Sequence, residues 1–139
     1  MDNIITINIT EEMAKAKGEP IDRELQSVSP YARWFNETCI AWTKYPEQNH
    51  HFLLHQQSYA NEKLKARGYL FLNEVYDMLG IPRTSAGQLV GWTYDNENPI
   101  GDNFVDFGLF NTRNENFVNG YEESVLLDFN VDGMILDRI

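Results

Sequence analysis

Two stretches with helical periodicity dominate the pattern of apolar and polar positions along the chain. The first begins at Pro46, a residue type favoured at the first position of a helix, and ends at Gly68, a residue type that commonly caps a helix C-terminus. The second covers about residues 70–79 and stops at Gly80, which a proline follows closely. We therefore predict a helical hairpin over about residues 46–79, with a tight turn or a kink at Gly68.

From Gln88 onward the pattern changes to the alternation that is typical of strands. Polar loops separate four such segments, and Asp132-Gly133 stands where the last pair would turn. The segments cover residues 88–94, 103–110, 124–129 and 134–138. Helices followed by strands predict an α+β fold, with N-terminal helices packed on a C-terminal antiparallel β-meander.

Ser29-Pro30 marks a break in the pattern, and the helical segment predicted before it has a thin apolar content of Met13, Ala14 and Ala16. Four isoleucines indicate a short strand, and Thr10 is a suitable N-cap for a short helix over residues 11–17. We therefore treat residues 1–28 as an N-terminal leader and residues 29–139 as a single α+β domain.

An aromatic cluster follows the break at Ser29-Pro30. Tyr31, Trp34 and Phe35 have the i, i+3, i+4 spacing of one helical face, and Trp42 lies shortly after them. Such a face is typical of a core. It also suits a protein-binding patch, because tryptophan and tyrosine are frequent in interface hot spots. We take these four residues as the candidate protein-binding residues.

Length and composition indicate one globular domain. With 139 residues, 42% hydrophobic and 13% aromatic, the chain can bury a core, and a disordered chain is excluded. The single cysteine, Cys39, cannot form an internal disulfide, which agrees with a reducing bacterial cytoplasm. No apolar run approaches the ~20 residues of a membrane helix, so we predict no membrane segment in this chain.

Negative charge is concentrated in the last third of the chain. The net charge is −10, and residues 95–139 contain ten acids against two bases, which gives −8 for that part. A field of that sign repels phosphate backbones and argues against direct nucleic-acid binding. It suits a basic protein partner, bound cations or mimicry of a nucleic acid, and it also serves solubility.

A partial calcium-binding motif lies within the acidic part. Asp128, Asn130, Asp132 and Gly133 occupy positions 1, 3, 5 and 6 of a calcium loop, but position 12 is Ile139 instead of glutamate. The same residues suit a hairpin turn, because asparagine and Asp-Gly tolerate left-handed backbone angles. Asp128, Asn130 and Asp132 are kept as candidate metal ligands.

No segment carries a catalytic signature. Glu47, His51 and His55 lie one turn apart on the predicted helix, which is compatible with a metal site, but further ligands are lacking nearby. Cys39 has no recognisable nucleophile setting. We predict a non-enzymatic protein without a cofactor.

Several separated motifs resemble an uncharacterised family encoded by bacteriophages and prophages of Gram-positive bacteria. The similarity covers about residues 29–139, and it rests on residues 59–68, 71–80, 86–92, 101–108, 117–122 and 126–133. The resemblance implies no activity and no catalytic residues. Longer members carry an apolar membrane segment ahead of this domain. This chain has no such segment, so the resemblance implies that it is either a soluble form or an excised piece.

These observations lead to one main hypothesis and two alternatives. The main hypothesis is a phage or prophage accessory protein, located in the host cytoplasm, that binds a protein partner. The first alternative is an acidic inhibitor of a host defence or nucleic-acid-binding enzyme, acting by phosphate mimicry. The second is a calcium-dependent binding protein. The partner's identity and any homo-oligomerisation are left open.

Overall fold

The computed structural model describes residues 28–139, and the strand and helix predicted before residue 28 lie outside that range. The described residues form strands β1 (Arg33–Phe35), β2 (Tyr69–Phe71), β3 (Val90–Thr93), β4 (Val125–Leu127) and β5 (Gly133–Met134). They also form helices α1 (Pro46–Arg67), α2 (Leu72–Leu79) and α3 (Glu115–Val118). The predicted mixture of helices and antiparallel strands is confirmed.

Helix α1 is the longest element and begins and ends where the sequence predicts. Pro46 occupies its first turn, and Gly68 ends it with a φ of 90°, a left-handed conformation that glycine adopts without steric cost. The Gly68 N–H donates to the Leu64 carbonyl at 2.7 Å. Leu53, Ala60 and Leu64 are buried along the face that packs on the domain.

The two helices do not follow each other directly, because strand β2 lies between them. The sequence Tyr69-Leu70-Phe71 buries its central leucine and leaves its aromatic rings half-exposed, which is the alternation of a strand. Helix α2 then starts at Leu72, where the Glu74 carboxylate accepts the Phe71 N–H at 2.9 Å. The prediction of a tight hairpin turn or a kink at Gly68 therefore missed this strand.

The predicted β-meander is replaced by two small antiparallel sheets with long-range pairing. One sheet pairs β1 with β4, and the other has the order β2-β3-β5. Leu70 faces Trp92 in the second sheet, and Trp34 faces Leu126 in the first. The predicted partners in the sequence, residues 103–110 and 134–138, do not form full strands, since β5 stops at Met134 and a 3-10 turn follows.

A single buried cluster joins both sheets to helices α1 and α2. Trp92, Tyr76 and Phe107 are its largest members, and each is fully buried. The Phe129 ring packs edge-on against Tyr76 and Phe107, with centroid distances of 5.7 and 5.4 Å. The Tyr76 hydroxyl donates to the Tyr31 carbonyl at 2.7 Å, so the polar end of this buried ring is satisfied.

Three helical asparagines hold irregular segments by the same pattern of two hydrogen bonds to a single residue. In each case the side-chain oxygen accepts the N–H of that residue, and the side-chain NH₂ donates to its carbonyl. All six distances lie between 2.7 and 3.0 Å. We call these contacts amide clamps: Asn49 holds Thr43, Asn61 holds Val105, and Asn73 holds Thr84.

Residues 105–109 alternate in burial but form no strand, and Gly108 has a left-handed φ of 75°. Val105, Phe107 and Leu109 are buried, as a strand would place them. Asn61 clamps Val105, and the Gln57 side chain accepts the Phe107 N–H at 2.8 Å. Polar side chains of α1 therefore bond the Val105 and Phe107 N–H groups, while the Asp106 and Phe107 carbonyls accept the Asn130 and Asp128 N–H groups. This mixed bonding gives no regular strand over the predicted residues 103–110.

We expect Asn61→Asp to destabilise the fold by about 1–3 kcal/mol at neutral pH, because a carboxylate still accepts the Val105 N–H but cannot donate to its carbonyl. Urea unfolding of the full chain measures the loss. The control is Glu62→Gln, at an exposed position next to it, which should change stability by less than about 0.5 kcal/mol. Equal stability of the two variants would contradict the role given to the clamp.

Candidate functional site

The calcium-like segment connects the two sheets instead of forming a hairpin turn. Strand β4 before it pairs with β1, and strand β5 after it pairs with β3. Residues 128–132 therefore cross from one sheet to the other, and the predicted hairpin with Asp132-Gly133 at its turn is wrong. Gly133 has a φ of 128°, which favours glycine at the start of β5.

Asn130 is the polar centre of this crossing. Its side-chain oxygen accepts the Trp92 Nε1–H at 2.9 Å and the Asp106 N–H at 2.7 Å. Its NH₂ donates to an Asp102 carboxylate oxygen at 3.0 Å and to the Phe104 carbonyl at 2.9 Å. One side chain therefore ties the buried tryptophan to two surface segments, and its hydrogen-bonding capacity is filled.

The two aspartates of the motif have separate partners. Asp128 accepts the Ser29 N–H at 3.3 Å and lies 3.9 Å from the Arg113 guanidinium. Asp132 accepts the Thr93 N–H at 3.0 Å, a donor that strand β5 does not reach. Burial raises the pKa of the Asp132 carboxyl, and the negative charge of Asp102 raises it further.

These contacts define what the three candidate metal ligands do in the fold. Asp128 accepts a hydrogen bond from Ser29, whereas Asn130 and Asp132 accept hydrogen bonds from Trp92 and Thr93, two adjacent residues of β3. Within residues 28–139, no group of three or more histidine, cysteine, aspartate or glutamate side chains is arranged to hold a metal ion. Calcium binding by Asp128, Asn130 and Asp132 stays a prediction.

The candidate protein-binding aromatics lie on a strand and around it, so the expected helical face is wrong. Phe35 is fully buried and stacks on Phe52 at 5.7 Å, and Trp34 points to the other side of β1. Tyr31 and Trp42 are half-buried against the core. The Trp42 Nε1–H donates to the Glu123 carbonyl at 2.9 Å, which anchors this ring to the acidic part of the chain, residues 95–139.

The remaining candidates are dispersed. Glu47, His51 and His55 are exposed on α1, and Cys39 is buried with its thiol 3.7 Å from the Trp34 carbonyl. Within the described residues, Glu47, His51 and His55 are therefore not joined by a further metal ligand, and Cys39 is not joined by a general base.

His50, which the spacing argument did not single out, has the more unusual environment. Its Nε2 is buried and has no hydrogen-bond partner in the described part of the chain. The ring lies between Phe110 and Phe117, at centroid distances of 5.7 and 5.9 Å. Burial lowers the pKa of His50, and the neighbouring His51 lowers it further. Only the three-dimensional contact with residues some sixty positions away creates this environment, so sequence periodicity carries no signal for it.

A surface loop over residues 95–104, called here the acidic loop, carries exposed charge and exposed apolar side chains together. Asp95, Glu97 and Asp102 are exposed, while Ile100 and Phe104 are 50% and 46% exposed. The loop is held by its own side chains, since an Asp95 carboxylate oxygen accepts two following N–H groups and Asn103 accepts the Asp95 N–H.

The acidic loop is packed against the segment that crosses between the sheets. Gly101 lies so close to Asp132 that a Cβ there would stand 1.9 Å from a carboxylate oxygen. Met134 follows two residues later and is 52% exposed. We define the acidic–apolar surface as Ile100, Asp102, Phe104, Asp132 and Met134.

Few acids of residues 95–139 have a basic partner. Among residues 28–139, four ion pairs lie within 4 Å, and only the Arg113–Asp128 pair uses an acid beyond residue 95. The other acids of residues 95–139 have no base within 4 Å in the described chain, and Asp132 feels the charge of Arg138 only at longer range. None of the described helices is long and apolar enough to cross a membrane.

The His50 environment predicts a pH-dependent loss of stability. The folded chain favours the neutral His50 imidazole, so the pKa of His50 is lower in the folded chain than in the unfolded chain. As the pH falls below about 6.5, the unfolded chain binds a proton at His50 before the folded chain does, and the free energy of unfolding decreases. We expect His50→Phe, which removes the titrating group from an aromatic site, to reduce the fall in urea midpoint between pH 7.5 and pH 5.5.

His55→Phe is the matched control, because His55 is exposed on the same helix. It should keep the wild-type pH profile. The assignment to His50 is wrong if His55→Phe flattens the profile and His50→Phe leaves it unchanged.

Comparison with known proteins places the chain in a family without giving it an activity. No curated protein and no solved structure matches it significantly. A family model matches residues 2–139, so the match extends over almost all of the predicted N-terminal leader. The expected membership of an uncharacterised family is thereby confirmed: the chain belongs to DUF6353, a family of unknown function.

Proposed function

We propose that this chain is a phage or prophage accessory protein of the bacterial cytoplasm that works by binding a basic protein partner, without catalysis. The proposed phage or prophage origin rests on the resemblance of separated sequence motifs to a family encoded by bacteriophages and prophages. The binding role is supported by one observation above all: exposed, unneutralised acids share the acidic loop with exposed apolar side chains.

Solubility alone explains the charge but does not explain the apolar side chains among the acids. A solubilising surface gains nothing from half-exposed Ile100 and Phe104. Protein interfaces, in contrast, combine apolar anchors with a charged rim. The composition of the acidic loop therefore favours a contact surface.

The fixed shape of the loop supports the same role. The Asp95 and Asn103 side chains accept N–H groups of the loop and the Asn130 NH₂ donates to it, so the loop is held before any partner arrives. A pre-ordered surface loses less conformational entropy on binding than a flexible one, so more of the contact energy becomes affinity.

The test is affinity purification of the tagged full chain from a bacterial host, with chemical cross-linking and mass spectrometry, followed by reconstitution with the purified partner. We expect a basic partner whose affinity falls by tenfold or more between about 0.05 and 0.5 M salt, because screening weakens contacts between opposite charges. The proposal fails if no partner survives reconstitution, or if the partner is acidic and insensitive to salt.

The narrower alternative is an acidic inhibitor that mimics a nucleic acid. It is favoured by Asp95, Glu97 and Asp102 standing on one ten-residue loop, since a row of carboxylates can replace phosphates. Adding duplex DNA to the reconstituted complex distinguishes the two. Competition supports mimicry, and an unaffected complex supports a partner that does not use its nucleic-acid site.

A further inference from the structure

We infer that the partner docks on the acidic–apolar surface, and that the docking element is a protein segment in which arginine or lysine flanks an apolar side chain. This inference rests on the proposed function, because it assigns a place and a chemistry to that partner.

The five residues come from two parts of the chain that hydrogen bonds hold together. The Asn130 NH₂ bridges the Asp102 carboxylate and the Phe104 carbonyl. Close packing of Gly101 on Asp132 joins the loop to the segment that leads into β5. The surface is therefore a fixed arrangement in which the loop and the C-terminal segment cannot separate without breaking these contacts.

Its apolar members are anchored side chains. Ile100, Phe104 and Met134 each expose about half of their area, with values of 50%, 46% and 52%. The exposed part of each side chain is available to a partner. Apolar side chains of this kind supply most of the binding energy when a partner excludes water from them.

The charge of the surface selects the sign of its occupant. The negative charge of Asp102 lies close enough to raise the pKa of Asp132, and Arg138 is the base whose charge acts on Asp132. Residues 95–139 as a whole have a charge of −8. A second copy of this chain, with its own charge of −10, would be repelled, whereas a cationic segment would be attracted.

The edge of the three-stranded sheet that β2 forms is less suitable as a docking site. Along β2, the Arg67 side chain donates to the Tyr69 carbonyl and the Glu74 carboxylate accepts the Phe71 N–H. Arg67 and Glu74 also pair with each other. This edge is thus covered by its own side chains, as sheet edges often are when strand addition is prevented.

The experiment uses the full chain and three synthetic peptides of equal length, which alternate arginine with leucine, arginine with serine, or glutamate with leucine. Amide chemical shifts of the ¹⁵N-labelled chain report where each peptide binds. We expect the arginine–leucine peptide to shift residues 100–104 and 130–134 and to bind at least fivefold tighter than the arginine–serine peptide. The glutamate–leucine peptide should not bind.

Two pairs of variants test the surface itself. Phe104→Ser should weaken the arginine–leucine peptide about tenfold, and Asp102→Asn about threefold, since an asparagine oxygen can still accept the bond from Asn130. The matched controls are Tyr121→Ser and Glu122→Gln, both exposed and outside this surface, which should leave binding unchanged. Thermal unfolding of each variant checks that it is folded.

The possible failures are distinguishable. Shifts that map elsewhere, equal binding of the serine and leucine peptides, or equal effects of the control variants would overturn the docking surface while leaving a basic partner in place. Absence of any captured partner, together with no binding of either arginine peptide, would overturn the proposed function as well.

Discussion

Hydrogen bonds from amide side chains to irregular backbone are the interaction on which the rest of this structure depends. Strands of two to four residues supply few ladder bonds, yet much of the connecting backbone is buried. A buried N–H or carbonyl without a partner costs about 1–3 kcal/mol, so each needs another source of hydrogen bonds. The clamps by Asn49, Asn61 and Asn73 provide it, because an asparagine side chain offers the same donor and acceptor as a peptide group.

The same chemistry positions the surface proposed for binding. Asn130 joins the buried Trp92 to the Asp102 carboxylate and the Phe104 carbonyl, so a core residue and the acidic loop share one side chain. Asp132 completes this arrangement by bonding Thr93 and packing on Gly101. The residues that resemble half of a calcium loop therefore have a structural task in this chain, and the acids around them provide the negative face.

Local signals allowed parts of the fold to be predicted, and long-range contacts explain the parts that were missed. Helix α1 follows from Pro46 and Gly68, which act on their own neighbours. The burial of Val105 and Phe107 follows from alternation, but their bonding partners are helical side chains 44 and 50 positions away. The pairing of β1 with β4 spans the domain in the same way. For the site, the acidic concentration was visible in the sequence, whereas the apolar members and the environment of His50 depend on tertiary packing.

Amide hydrogen exchange of the native chain, followed by NMR, tests the central claim most directly. If side-chain amides hold the irregular backbone as firmly as a sheet would, the Val105 and Phe107 N–H groups exchange nearly as slowly as that of Trp92 in β3. The Glu97 and Asn98 N–H groups, which bond an exposed carboxylate, provide the fast comparison. Slow exchange at Val105 and Phe107 is the predicted result, and exchange as fast as at Glu97 and Asn98, with Trp92 still protected, would contradict the account.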